Sequence, residues 1–358
     1  PPHERPRITV CLIVRNEEQF LAQCLRSIQP VAHQIVVVDT GSTDRTVEIA
    51  QSFGAEVYPF TWCDDFSAAR NAALEHARGE WVLSLDADEE LPPEEHTRLW
   101  QALQKERILG FRLPLLNVGR EAEGVSFVPR LFRNAPGLFY VSRVHEQVFS
   151  SVLARAEEWA MELGLSSAQL RHHGYSQELV RSRNKADRNL RLLRLALEDF
   201  PDDANLRMNL GLELVRAGDL DAGLREYQAA VAALAALPRA QVMPELRETL
   251  LSQYSSHLMK AQRLDQVIDL LQSPLARNGG LTASLHFTLG LAFMRTRQFP
   301  AAAESMRQCL ATRRQPALSP INPEIHKAGP HHCLASCLLQ MGQLDAAREA
   351  LVAALHDD

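Results

Sequence analysis

Three short apolar runs each end in a polar motif, and this recurrence constrains the fold more than any other feature of the chain. Ile8 to Val14 leads into Arg15-Asn16-Glu17-Glu18. Gln34 to Val38 leads into Asp39-Thr40-Gly41-Ser42-Thr43-Asp44, and Glu80 to Leu85 into Asp86-Ala87-Asp88-Glu89. A nearly continuous apolar run of this length reads as a strand covered on both faces, as in a parallel sheet. Helical patterns lie between the runs. Phe20, Leu21, Cys24, Leu25 and Ile28 recur at helical spacing before Pro30, and Ser67 to Ala77 reads as a helix closed by Gly79. Asn16, with Gln19 three residues on, predicts the cap of the first helix. Strand, helix, strand, helix, strand predicts an α/β unit with a largely parallel sheet. Such sheets bind ligands beyond the carboxyl ends of their strands, where all three motifs fall.

From about Lys185 the pattern becomes helical and repeats. Gly211, Ser255, Gly290 and Ala335 each lie nine residues before a large apolar residue (Leu220, Leu264, Phe299 and Leu344). Three residues further on stand Gly223, Val267, Ala302 and Ala347, and then Tyr227, Leu271, Met306 and Leu351. Small residues let paired helices approach, and large ones fill the space between neighbouring pairs. About four such units are predicted, interrupted near Pro238 to Pro244 and Gln315 to Pro330. The spacing resembles tetratricopeptide repeats. With 358 residues the chain has room for two domains, set at 1–180 and 181–358.

Composition excludes several classes. Hydrophobic residues are 46% of the chain, enough for a core, and the longest apolar run, Ala229 to Leu237, is far too short to span a membrane. The net charge of -6 argues against a general nucleic-acid binder. None of the six cysteines forms a CxxC pair, which disfavours a disulfide scaffold and a structural zinc site and predicts a reduced, cytoplasmic protein. Cys333 and Cys337 follow His331 and His332, but their spacing fits buried positions of the last repeat. No GxGxxG follows the first strand, against a dinucleotide-binding oxidoreductase.

Asp86 and Asp88, at i and i+2 just past a strand, can converge on one divalent cation, and oxygen donors suit Mg²⁺ or Mn²⁺. Taken together, Val10 to Glu18, Val38 to Thr46 and Leu85 to Glu89 resemble, in order and spacing, the inverting family 2 glycosyltransferases of the GT-A fold. The resemblance spans roughly residues 8 to 175. The helical second half resembles the repeat domain carried by a subset of these enzymes, among them enzymes that glycosylate Cys residues of bacteriocin peptides.

The resemblance implies a nucleotide-diphosphate sugar as donor, most often a UDP-sugar. It implies that Val14, Arg15 and Glu17 line the nucleoside pocket and that Asp39 reads the base or ribose with Ser42 close by. Asp65 lies near the nucleoside, and Arg70 meets the diphosphate or forks onto Asp86. Arg130 shapes the donor or acceptor pocket. Asp88 is the direct metal ligand, with Asp86 nearer the ribose or the metal's water. His172 or His173 supplies the third ligand. An inverting transfer also needs a general base beside the acceptor. Where many relatives carry Glu-Asp, this chain has His145-Glu146. Glu146 suits an alcohol acceptor and His145 a thiol. The repeats suit a peptide or protein acceptor, or a homodimer. A glycan or lipid intermediate is the alternative acceptor, and an interaction protein with a decayed transferase domain is the alternative of a different class.

Overall fold

The computed structural model describes residues 5–119, 125–173, 178–315 and 323–357. They divide into two compact units, Pro1–Leu192 and Leu193–Asp358. The first unit is mixed α/β. Its strands are β1 (Ile8–Val14), β2 (Gln34–Asp39), β3 (Glu56–Pro59), β4 (Trp81–Leu85), β5 (Glu89–Glu90), β6 (Ile108–Asn117), β7 (Val125–Arg133), β8 (Glu162–Leu165) and β9 (Leu170–His172). Among the described residues they form one sheet in the order β3-β2-β1-β4-β7-β6-β9-β5, with β8 also paired to β6. The helices are α1 (Leu21–Ile28), α2 (Thr46–Ser52), α3 (Phe66–Glu75), α4 (His96–Leu103) and α5 (Phe149–Glu158). α6 (Glu178–Asp199) runs from this unit into the next.

β1 pairs in parallel with both β2 and β4, and β7 is antiparallel to β4. The apolar runs are continuous because both faces are covered. Ile8, Val10, Leu12 and Val14 enter one core with α1, whereas Cys11, Val36 and Val38 enter the other with Ala73 and Phe132. β2 and β4 flank β1, so the chain changes direction there and opens a crevice beyond the carboxyl ends. Gly79, expected only to stop a helix, has a second duty. A Cβ there would lie 2.6 Å from the Thr9 amide nitrogen and 2.8 Å from the Arg7 carbonyl, so only glycine lets this turn lie against β1.

The second unit is all α. Its helices are α7 (Ala204–Arg216), α8 (Leu220–Ala235), α9 (Pro244–Lys260), α10 (Leu264–Leu271), α11 (Pro274–Arg277), α12 (Ala283–Arg295), α13 (Phe299–Thr312), α14 (Gly329–Gln340) and α15 (Leu344–Ala354). α7/α8, α9/α10, α12/α13 and α14/α15 are the four repeat pairs. The small residues stand where the helices approach. A Cβ on Gly211 would meet the Gly223 carbonyl at 3.0 Å and the Tyr227 ring at 3.1 Å. Ser255, Ala302, Ala335 and Ala347 are buried, as are Tyr227, Leu271 and Met306. Leu351 departs from this set and is exposed, along with Leu344, Val352 and Leu355 on the same helix. Part of the Gln315 to Pro330 interruption, residues 316–322, lies outside the described residues. Among the described residues no helix is long and apolar enough to cross a membrane.

Candidate active site

The cleft at the carboxyl ends of β1, β2 and β4 encloses about 410 Å³. Its first wall is the end of β1, where Val14, Arg15 and Glu17 line it beside Thr40. Two loops are stitched together to make this wall. The Thr40 amide and hydroxyl both donate to the Val14 carbonyl, at 3.0 and 3.1 Å. Asn16, expected as a helix cap, is not one: α1 begins at Leu21 without a side-chain cap. Asn16 instead sits at φ 56°, its amide donating to Ser42 Oγ (3.0 Å) and its Oδ1 accepting from the Thr43 amide (2.8 Å). The partner that outcompetes the local cap is 27 residues away. Asp39 and Ser42 are absorbed by the same turn, the Asp39 carboxylate accepting from the Ser42 amide at 3.1 Å, and neither lines the cleft. Asp65 caps α3 by accepting from the Ala68 amide (3.0 Å) and likewise stands off the cleft.

That cap sets the phase of α3 and aims Arg70 inward, with Ala69 and Ala73 packed against the sheet. Arg70 is only 5% exposed, and each of its three guanidinium nitrogens has a partner. Nε donates to Glu146 Oε1 (2.6 Å), Nη1 to Ser84 Oγ (3.0 Å) and Nη2 to Asp86 Oδ1 (2.6 Å). Arg130 donates from Nη2 to Asp86 Oδ2 (2.5 Å) and to Glu89 Oε1 (2.6 Å). Glu89 closes the turn by accepting from the Asp86 amide (3.0 Å). Burial pushes the Asp86 carboxyl up, but Arg130 and Arg70 more than offset this and hold it well below the usual carboxylate range. Burial wins at Glu89, whose carboxyl is raised despite Arg130. Both oxygens of Asp86 thus accept from guanidinium groups.

Asp88 faces a different partner. β5 and β9 pair antiparallel with Glu89 opposite His172, which carries the late histidine to the metal motif. His172 Nε2 lies 3.3 Å from Asp88 Oδ2, and its Nδ1 donates to Asn117 Oδ1 (3.0 Å). The hydrogen bond to Asp88 raises the imidazole above its ordinary value, with burial opposing. His173 turns the other way, pairing with Glu90 Oε2 at 2.7 Å and with Gln23. Among the described residues no group of three or more His, Cys, Asp or Glu side chains is arranged to hold a metal ion. Asp88 and His172 both line the cleft, and a carboxylate with an imidazole braced from behind by an amide is a donor pair that fits Mn²⁺ or Mg²⁺ completed by ligand oxygens and water.

His145 and Glu146 also line the cleft. His145 sits at φ 54°, and the Arg143 carbonyl before it accepts from the Phe66 amide (2.8 Å), tying this loop to α3. Sequence reasoning missed further lining residues, among them Trp62, Phe66, Arg188 and Asn189. Two aromatics four residues apart in an otherwise polar segment were the available signal for the first two. α6 carries no motif that marks the others.

Comparison with known proteins fits this geometry. The "Glycosyl transferase family 2" model matches residues 9–121. A TPR repeat-containing protein of Synechococcus elongatus is 35% identical across 83% of this chain and 76% of its own length. The chain belongs to that protein's family. In this chain a family 2 transferase-like unit is followed by an all-helical repeat unit. The SPbeta prophage-derived glycosyltransferase SunS of Bacillus subtilis is 26% identical over 59% of this chain, which spans half of SunS. A glycosyltransferase of Rickettsia prowazekii is 31% identical over 40% of this chain and 48% of its own length.

Proposed function

We propose that this chain transfers a sugar from a nucleotide-diphosphate sugar, a UDP-sugar first among them, to a peptide or protein side chain (Cys, Ser or Thr), with inversion and with Mn²⁺ or Mg²⁺. The observation that carries the reading is one cleft lined by both the Asp88–His172 pair and the His145–Glu146 pair. Val14, Arg15 and Glu17 stand where the nucleoside would lie. Asp88 and His172 would hold the cation, which when bound neutralises charge on the departing diphosphate. His145 and Glu146 stand on the acceptor side, one to remove the proton and the other to orient it. Arg70 joins the two halves, since it grips Asp86 with one arm and Glu146 with another. That the carboxylates and arginines are all present and mutually paired supports an active enzyme over a decayed one. The repeat helices favour a polypeptide acceptor. Incubation of the full chain with activated sugars and Cys-, Ser- and Thr-containing peptides, read by intact mass, tests this. The expected result is a single sugar adduct on a peptide, lost in Asp88→Ala. Transfer only to a glycan or lipid acceptor would overturn the peptide assignment.

A further inference from the structure

Two of the arginines assigned to the donor, Arg70 and Arg130, are already paired with carboxylates. Arg70 and Arg130 serve Asp86, Glu89 and Glu146, two cations for three carboxylates. A nucleoside diphosphate brings several negative charges into the cleft, and one divalent cation offsets only part of them. Two other guanidinium groups line the cleft, those of Arg15 and Arg188. Arg15 is exposed at the end of β1, and among the described residues no ring or ion pair fixes it. Arg188 is presented quite differently. Its guanidinium carbon lies 4.9 Å from the centroid of the Phe66 ring, and Nη2 donates to Asn189 Oδ1 (3.3 Å). Stacking on a ring uses the face of the guanidinium and none of its in-plane N–H donors, so it orients a fork suited to paired oxygens.

The support for Arg188 is itself tied down. Phe66 stands edge-on to Trp62, with centroids 4.8 Å apart. One helical turn beyond Arg188, Arg191 grips both oxygens of Asp64 at 2.6 Å, and Asp64 also accepts from the Trp62 indole N–H (2.9 Å). Trp62, Asp64 and Phe66 therefore hold the Arg188–Arg191 turn of α6 at the cleft. We propose that Arg188 binds the diphosphate of the donor, and that the Asp64–Arg191 pair is the strap that keeps it there. The proposal rests on the nucleotide-sugar reading of the cleft.

Calorimetric titration of the full chain with uridine, UDP, guanosine and GDP, with Mn²⁺ and with chelator, tests it in wild type, Arg188→Ala, Arg188→Lys and Asp64→Asn. Arg188→Ala should weaken nucleoside-diphosphate binding about 10- to 100-fold while the parent nucleoside binds as before. Arg188→Lys should recover part of the loss. Asp64→Asn should show the same selective pattern more weakly. An unchanged ratio of diphosphate to nucleoside affinity in Arg188→Ala would overturn the assignment, whether both affinities hold or both fall together. Unchanged nucleotide affinity with a raised KM for acceptor would place Arg188 on the acceptor side and overturn it equally. Wild type that binds no nucleoside diphosphate at all would instead refute the donor reading, and the proposal with it.

Discussion

The two units bury polar groups in opposite ways. In the sheet unit charged groups converge: Arg70, Arg130, Asp86, Glu89 and Glu146 form one network at the cleft. In the repeat unit they are dispersed, each with partners of its own. Glu213 accepts from Arg216 one turn on, and Arg247 donates to the carbonyls of Leu275, Ala276 and Gly280. The repeat unit otherwise relies on small residues facing large ones. A converging charged network is costly to desolvate and is often no more stable than an apolar substitute. Its concentration at the strand ends is therefore better explained by the work of the cleft than by the needs of the fold.

All four tryptophans (Trp62, Trp81, Trp100 and Trp159) lie in the sheet unit, so their fluorescence reports it selectively, while far-UV circular dichroism is dominated by the repeats. The largest effect should come from Arg70→Ala, which leaves Asp86 and Glu146 without their shared counter-charge. A broken buried pair costs about 3–5 kcal/mol, and partial exposure of Asp86 puts this case at the lower end. The fluorescence transition in urea should move by that amount while the helical transition stays in place. Equal shifts in both would erase the contrast between the units.

A glycine in each unit sharpens the comparison. Gly79→Ala presses a methyl group into the backbone of β1, which has no rotamer to give, and should cost about 1–3 kcal/mol. Gly290→Ala meets the tip of Met306 at 2.7 Å, with the Ser305 Cβ farther off at 3.3 Å, and should cost under about 1 kcal/mol because a methionine end moves easily. Urea midpoints of the two variants check the order.

Acid should separate the units by a smaller margin. Burial pushes His257 and His286 in the repeats below their ordinary value, so the unfolded chain binds more protons than the folded one. Their contribution is present above about pH 6.5 and is lost as pH falls below it. In the sheet unit the Arg191 guanidinium holds Asp64 down to about 2, and Arg78 holds Glu56 below its usual range. That contribution is present above about pH 4 and is lost only as pH falls further. Between pH 7 and pH 5 the helical transition should therefore weaken before the tryptophan signal does. The reverse order would contradict the burial argument.

Much of this was legible in the chain. The strand ends announced the cleft because a parallel sheet puts its loops on one edge, and the repeats announced themselves because helix approach demands small residues at fixed spacing. The site's wiring was less legible. Glu146 lies 76 residues from Arg70, and no local rule shows that it and Asp86 share that fork. Asn16 followed the cap rule in sequence but found Thr43 in space. Which histidine reaches Asp88 depended on the register of β9 against β5, which alternates sides with every residue. Arg188 carried no signal, since a helix-borne arginine outside any motif looks like a solvated one.

The most direct test of the central claim is release of nucleotide from UDP- and GDP-sugars, measured with Mn²⁺, with Mg²⁺ and with chelator, for wild type beside Asp88→Ala. The account predicts turnover or binding of one donor, lost with chelator and in the variant while circular dichroism is unchanged. Turnover that persists in Asp88→Ala, or no donor binding by the wild type under any condition, would contradict it.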